Sequence, residues 1–75
     1  MFCEIKLMSY DDGPFKYGVF VKLKVDGALY TSLKVSDDWE EAVKRAIGQC
    51  LFKAGKPNVD VRDVWAMSDV QGELL

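Results

Sequence analysis

The stretch FKYGVFVKLKV, residues 15–25, alternates between apolar and polar positions and sets the fold of the whole chain. A period of two places successive side chains on opposite faces of a β-strand. One face carries Phe15, Tyr17, Val19, Val21, Leu23 and Val25, and the other carries Lys16, Gly18, Phe20, Lys22 and Lys24. The pattern predicts a strand whose first face joins a hydrophobic core and whose second face meets other molecules or solvent.

Two further strands flank this one along the chain. Residues 2–10 also alternate, with Cys3, Ile5 and Leu7 on one side, and the turn-forming sequence DDGP at 11–14 separates them from the central strand. Residues 28–35 follow the dipeptide Asp26-Gly27, which is typical of a hairpin turn. The three strands are therefore predicted to form an antiparallel meander.

The register of the second hairpin depends on its loop. A two-residue Asp-Gly loop would place Tyr30 and Ser32 on the same face as Leu23. A three-residue loop from Val25, with Gly27 as a left-handed bulge, would instead pair apolar positions with one another, as Leu23–Leu29, Val21–Thr31 and Val19–Leu33. Because only the second register joins apolar face to apolar face, we predict the bulged loop, which leaves Tyr30 on the outer side of the sheet.

A single helix is predicted after the meander. Asp37 followed by Glu40 has the spacing of a capping box, and Gly55 and Pro57 end the helix. One broad stripe of apolar residues at three- and four-residue steps predicts the buried side of this helix: Trp39, Ala42, Val43, Ala46, Ile47, Cys50, Leu51 and Ala54.

The remaining residues complete the predicted fold. Residues 59–67 are rich in β-branched and aromatic side chains and are interpreted as a fourth strand, which could lie beside the first strand and parallel to it. Residues 68–75 show no clear pattern and are interpreted as a C-terminal tail. The fold class is therefore α+β in the order β-β-β-α-β, with one helix packed on one face of the sheet and residues 1–67 forming a single domain.

Composition argues against catalysis. The 75-residue chain contains no histidine, which removes the commonest general base and zinc ligand, and its two cysteines belong to no metal-binding motif. Neighbouring acidic residues are explained by a turn and by a helix start. We expect no enzyme activity, cofactor, metal or small-molecule substrate. The absence of a long apolar segment predicts no membrane association, and the cytoplasm is the expected compartment.

Two candidate contact surfaces remain. Phe20, Lys22, Lys24 and Tyr30 are expected to share the outer face of the sheet, where aromatic and lysine side chains could bind a protein partner, a second copy, or the bases of single-stranded nucleic acid. The alternative is that this face is ordinary surface or is covered by the C-terminal tail. Phe52 and Arg45 are predicted on the outward side of the helix beside Gly48, where they would form an apolar notch rimmed by charge, unless Leu74 and Leu75 cover it.

The expected function is that of a non-enzymatic protein-interaction module, of the adaptor or inhibitor type, with single-stranded nucleic-acid binding as the alternative. The net charge of −2 disfavours general nucleic-acid binding. Residues 17–27 resemble the first hairpin of a double-stranded-RNA-binding domain. The following helix, however, opens with Asp37 and Asp38, where such domains carry lysines that hold phosphates. In size and order of elements the chain is similar to small accessory proteins of phages and mobile elements. No family is assigned.

Overall fold

A computed structural model describes residues 1–72 as a four-stranded sheet with two helices. The elements, in chain order, are β1 (Phe2–Ser9), β2 (Tyr17–Val25), β3 (Ala28–Ser36), α1 (Trp39–Lys53), α2 (Val61–Met67) and β4 (Asp69–Gly72). The strand order across the sheet is β3-β2-β1-β4, with β4 parallel to β1 and the other neighbours antiparallel. The predicted α+β class is confirmed. A last strand does lie parallel to the first, but residues 69–72 form it and not the predicted segment 59–67.

The helix α1 covers one face of the sheet, and this inner face forms the core. The buried apolar side chains are Cys3, Ile5, Leu7, Val19, Val21, Leu23, Val25, Ala42, Val43, Ala46, Ile47, Cys50, Leu51 and Val64. The buried residues of β1 and β2 on this list are all ones that alternation predicted to be buried. Phe15 was also predicted on this face, but β2 begins at Tyr17 and Phe15 is exposed. The apolar faces of β1 and β2, set by strand alternation, therefore pack against the apolar side of α1, set by helical periodicity.

The helix α1 begins one residue later than predicted. Asp38 is the N-cap, and its side chain accepts hydrogen bonds from the backbone N–H groups of Glu40 and Glu41. Asp37 instead accepts from the backbone N–H of Lys16, 3.0 Å away, and so ties the start of the helix to the loop before β2. The helix ends as predicted, since Gly55 adopts a positive φ of 71° just beyond it.

The prediction of a strand at 59–67 is wrong. Residues 61–67 form the short helix α2, capped by Asp60, whose side chain accepts from the backbone N–H of Arg62. The hydrogen bonds from Arg62 lower the pKa of Asp60. The fourth strand is β4, which lies within the segment predicted as a tail, and Glu73, Leu74 and Leu75 lie outside the described residues. Spacing explains α2, because Val61, Val64 and Trp65 lie on one side of a helix that contacts α1 and β1.

The predicted register of the β2–β3 hairpin is also wrong. Asp26 and Gly27 both have positive φ, 51° and 83°, as a two-residue type I′ turn requires. The turn therefore pairs Val25 with Ala28 and Leu23 with Tyr30. Every side chain of β3 consequently lies on the face opposite to the predicted one.

Candidate interaction surface

The side of the sheet away from α1 forms a continuous surface, here called the outer face. In the observed register its side chains fall into rows across neighbouring strands. Read from β3 to β4, the rows are Leu29–Lys24–Phe2, Thr31–Lys22–Glu4–Asp69, Leu33–Phe20–Lys6–Gln71 and Val35–Gly18–Met8. No described helix or strand packs over these rows, since α1 and α2 contact the other face.

One column of the outer face carries two exposed leucines. The β3 stripe consists of Leu29, Thr31, Leu33 and Val35, all contributed by β3. Leu29 is 61% exposed and Leu33 is 55% exposed, whereas the neighbouring Ser32 points inward and is 6% exposed. The Ser32 hydroxyl donates to Oε1 of Gln49 on α1 at 3.2 Å, so this inward polar group is satisfied. Strand β3 therefore turns a polar side chain toward the core and its leucines toward solvent.

The columns beside the β3 stripe carry cations and two carboxylates. Lys22 and Lys24 are exposed on β2, and the Lys22 ammonium lies 5.9 Å from the centre of the half-buried Phe20 ring. That geometry is at the outer limit of a cation–π contact. Glu4 and Asp69 lie in the same row as Lys22, so within that row the positive charge is on β2 and the negative charge is on β1 and β4. Lys6 adds a cation on β1 in the next row.

A shallow depression lies near the middle of the outer face. It is lined by Glu4, Ile5, Lys6, Phe20, Lys22 and Gln71, and its volume is about 180 Å³. Small-molecule sites typically enclose about 300–1,000 Å³. The depression is therefore large enough for a side chain of a partner but smaller than a usual pocket for a cofactor or metabolite.

At one end of the outer face, the Tyr10 ring lies over Gly18. A Cβ atom at position 18 would overlap the Tyr10 hydroxyl, so glycine is what allows the Tyr10 ring to approach β2 this closely. The Tyr10 backbone N–H also donates to the Lys16 carbonyl at 2.8 Å, which closes the loop between β1 and β2. Tyr10 therefore marks the boundary of the outer face and belongs to the structured part of the loop.

The predicted placement of Tyr30 on the outer face is wrong. Tyr30 lies opposite Leu23, on the inner side of the sheet, where it is half-buried and packs against the core. Of the residues predicted together on the sheet, Phe20, Lys22 and Lys24 share the outer face. The residues that sequence reasoning missed are Leu29 and Leu33, and the signal that could have found them was the Asp-Gly dipeptide itself.

The predicted helix surface is separate from the outer face. Phe52 is 75% exposed and Arg45 is exposed, and both lie on the side of α1 that points away from the sheet. The expected notch is partly closed, because a Cβ atom at Gly48 would lie 3.8 Å from Cγ2 of Val61 on α2. The two predicted surfaces are on opposite sides of the molecule.

Both thiols of the protein lie in the core. Burial raises the pKa of the Cys3 thiol to about 11, with smaller contributions from Cys50 and Glu4, and burial also raises the pKa of Cys50. Both cysteines are free. Among residues 1–72, no three histidine, cysteine, aspartate or glutamate side chains come together as metal ligands. Neither helix in that range is long and apolar enough to span a membrane.

Three comparisons with known proteins identified no relative of this chain. A scan against protein-family models, a search of curated proteins and a search of solved structures each found no match to this chain.

Proposed function

We propose that this protein is a non-enzymatic interaction module that binds a protein partner through its outer face. The observation that carries the proposal is the orientation of β3. A slip of one residue would have buried Leu29 and Leu33, yet the Asp26–Gly27 turn fixes the register that exposes them. Exposed apolar side chains grouped beside polar ones are typical of protein contact sites.

The chemistry of the outer face supports a protein partner more than nucleic acid. With Tyr30 on the inner side, the aromatic rings on the outer face are Phe2, Phe20 and, over Gly18 at its end, Tyr10, and no two of them share a row. The two carboxylates, Glu4 and Asp69, would also repel a phosphate backbone. Aliphatic leucines offer no ring on which a base could stack, but they fit the apolar centre of a protein interface.

A role as a small adaptor or inhibitor in the cytoplasm agrees with the rest of the molecule. Its thiols are buried and free, as is usual for proteins of a reducing compartment. The shallow depression on the outer face would receive one side chain of the partner.

Capture of partners with charged variants tests the proposal. We expect Leu33→Asp to abolish recovery of the native partner from the host, because burying an unpaired carboxylate in an interface costs several kcal/mol. The variant should remain folded, since Leu33 is exposed in the free protein. Affinity purification with quantitative mass spectrometry measures the loss, and circular dichroism checks the fold.

Phe52→Asp is the matched control, because it places the same charge on an exposed apolar position of the opposite side. Loss of the partner with Leu33→Asp and retention with Phe52→Asp support the outer face. The reverse pattern would move the site to α1 and contradict the proposal. Oligonucleotide binding that weakens steeply with salt, and that Leu33→Asp abolishes, would replace it with nucleic-acid recognition.

A further inference from the structure

Strand β3 lies at one end of the sheet, and within residues 1–72 no other strand pairs with the side of its backbone that faces away from β2. In a type I′ hairpin the residues that flank the turn, Val25 and Ala28, form a hydrogen-bonded pair, and such pairs then recur at every second position. The intervening residues 29, 31, 33 and 35 direct their N–H and C=O groups away from β2. These backbone groups are called the open edge below.

Lys53 supports this assignment and occupies part of the open edge. Its ammonium group donates to the carbonyl oxygen of Thr31 at 2.8 Å, which requires that carbonyl to point away from β2. A lysine ammonium held against an edge strand discourages unspecific pairing with further strands. Lys53 is exposed and sits in the last turn of α1, so it can move aside without disturbing the core.

Any strand added at the open edge would meet two different environments. Its side chains on the outer side would contact Leu29 and Leu33 of the β3 stripe. Its side chains on the inner side would lie beside Lys34 and Lys53. Since side chains of a strand alternate between faces, the best match alternates apolar and acidic residues.

A second copy of this chain fits the open edge poorly. Two copies paired through β3 about a two-fold axis at Thr31 would bring their Lys53 ammonium groups together, because each lies on a Thr31 carbonyl. Like charges placed opposite one another across strands are destabilising. The same cations attract the carboxylates of a different chain.

We propose that the open edge of β3 binds an extended segment of a partner protein in which apolar and acidic residues alternate, as a fifth strand of the sheet. The segment's N–H group replaces the Lys53 ammonium on the Thr31 carbonyl, and Lys53 then pairs with an acidic side chain of the segment. Main-chain hydrogen bonds supply affinity, and the leucines and lysines supply specificity. This inference rests on the proposed function and names the chemistry of the partner.

The test uses the whole protein and a short synthetic peptide in which valine and glutamate alternate. We expect the peptide to slow hydrogen exchange at the amides of Leu29, Thr31 and Leu33. The amides of Tyr30 and Ser32, which already bond to β2, should be unaffected. Lys53→Glu should weaken peptide binding by about tenfold, because repulsion replaces attraction. Lys44→Glu, the same charge change nine residues earlier and on the opposite side of α1, should leave binding within about twofold.

Two control peptides test whether binding needs the alternation of residues and the negative charge of the peptide. A peptide of the same composition with its valines and glutamates in two blocks, and one with lysine in place of glutamate, should both fail to protect the edge amides. If the lysine peptide protects them equally, the charge argument is wrong and the inference fails. Protection that rises with protein concentration alone would make the occupant a second copy and would also overturn it.

The outcome for this inference can be distinguished from that for the proposed function. If the alternating peptide protects no edge amide while Leu33→Asp still abolishes capture of the partner, the outer face binds through side chains alone and only the fifth-strand inference fails. If capture survives Leu33→Asp as well, the proposed function fails with it.

Discussion

Truncating Leu23 to alanine is expected to lower the free energy of unfolding by about 3 kcal/mol. Leu23 is fully buried on the inner face of β2 beneath α1, so the change removes apolar contacts and leaves a cavity. A chain of this size is stable by only about 4–11 kcal/mol, and the loss is therefore a large part of the total. Urea denaturation followed by circular dichroism measures it.

Leu29→Ala is the matched control for this truncation. Leu29 is 61% exposed on the outer face, so the same chemical change should alter stability by less than about 0.5 kcal/mol. In the slipped register, Leu29 would lie opposite Leu23 on the core side and both truncations would be costly. Equal losses at the two positions would therefore contradict the observed register as well as the exposed β3 stripe.

The second large effect is expected in the chemistry of the thiols. Burial raises the pKa of Cys3 from its ordinary value of 9.0 to about 11, which lowers its thiolate fraction at neutral pH by about a hundredfold. Because the thiolate is the reactive form, a thiol reagent at pH 8 should modify the native protein at least about a hundredfold more slowly than the urea-unfolded protein. With an aromatic disulfide as the reagent, the absorbance of the thiolate that it releases on reacting with the protein measures both rates.

The same pKa predicts how stability changes at alkaline pH. Cys3 has a higher pKa when folded than when unfolded, so its contribution to stability is fully present below pH 9 and is lost as pH rises through about 11. Cys3→Ala removes this contribution, and its free energy of unfolding should decline less than that of wild type over the same range. Rapid labelling of Cys3 itself in the native protein at pH 8, with no unfolding, would show that this thiol is accessible and would contradict both expectations.

The parts of the fold that sequence predicted well are those in which one periodic pattern acts alone. The buried residues of α1, from Ala42 to Leu51, follow from their three- and four-residue spacing, and those of β2 from strict alternation. The segment 59–67 was harder, because its β-branched residues also fit the spacing of a short helix. Asp60, with Asp63 three residues later, was the capping signal that favoured the helix.

The register of β3 could not be predicted from hydrophobic matching, since the structure does not maximise it. A buried serine bonded to Gln49 and two exposed leucines run against the usual pattern of a half-buried strand. The turn geometry of Asp26 and Gly27 prevails over that pattern. The local turn chemistry of Asp26–Gly27 held, and the apolar alternation of β3 is what failed. Because such departures from the apolar pattern often occur at functional positions, they motivate the proposed site on the outer face.

The pairing of β4 with β1 has a consequence for how the chain reaches its native state. Glu4 lies opposite Asp69, whereas the β2–β3 hairpin joins neighbours in the chain. Closing a long loop costs more entropy and proceeds later than forming a hairpin. During synthesis on the ribosome, the edge of β1 that pairs with β4 therefore stays unpaired until residues 69–72 have emerged. A nascent chain halted before them would leave that edge open to aggregation.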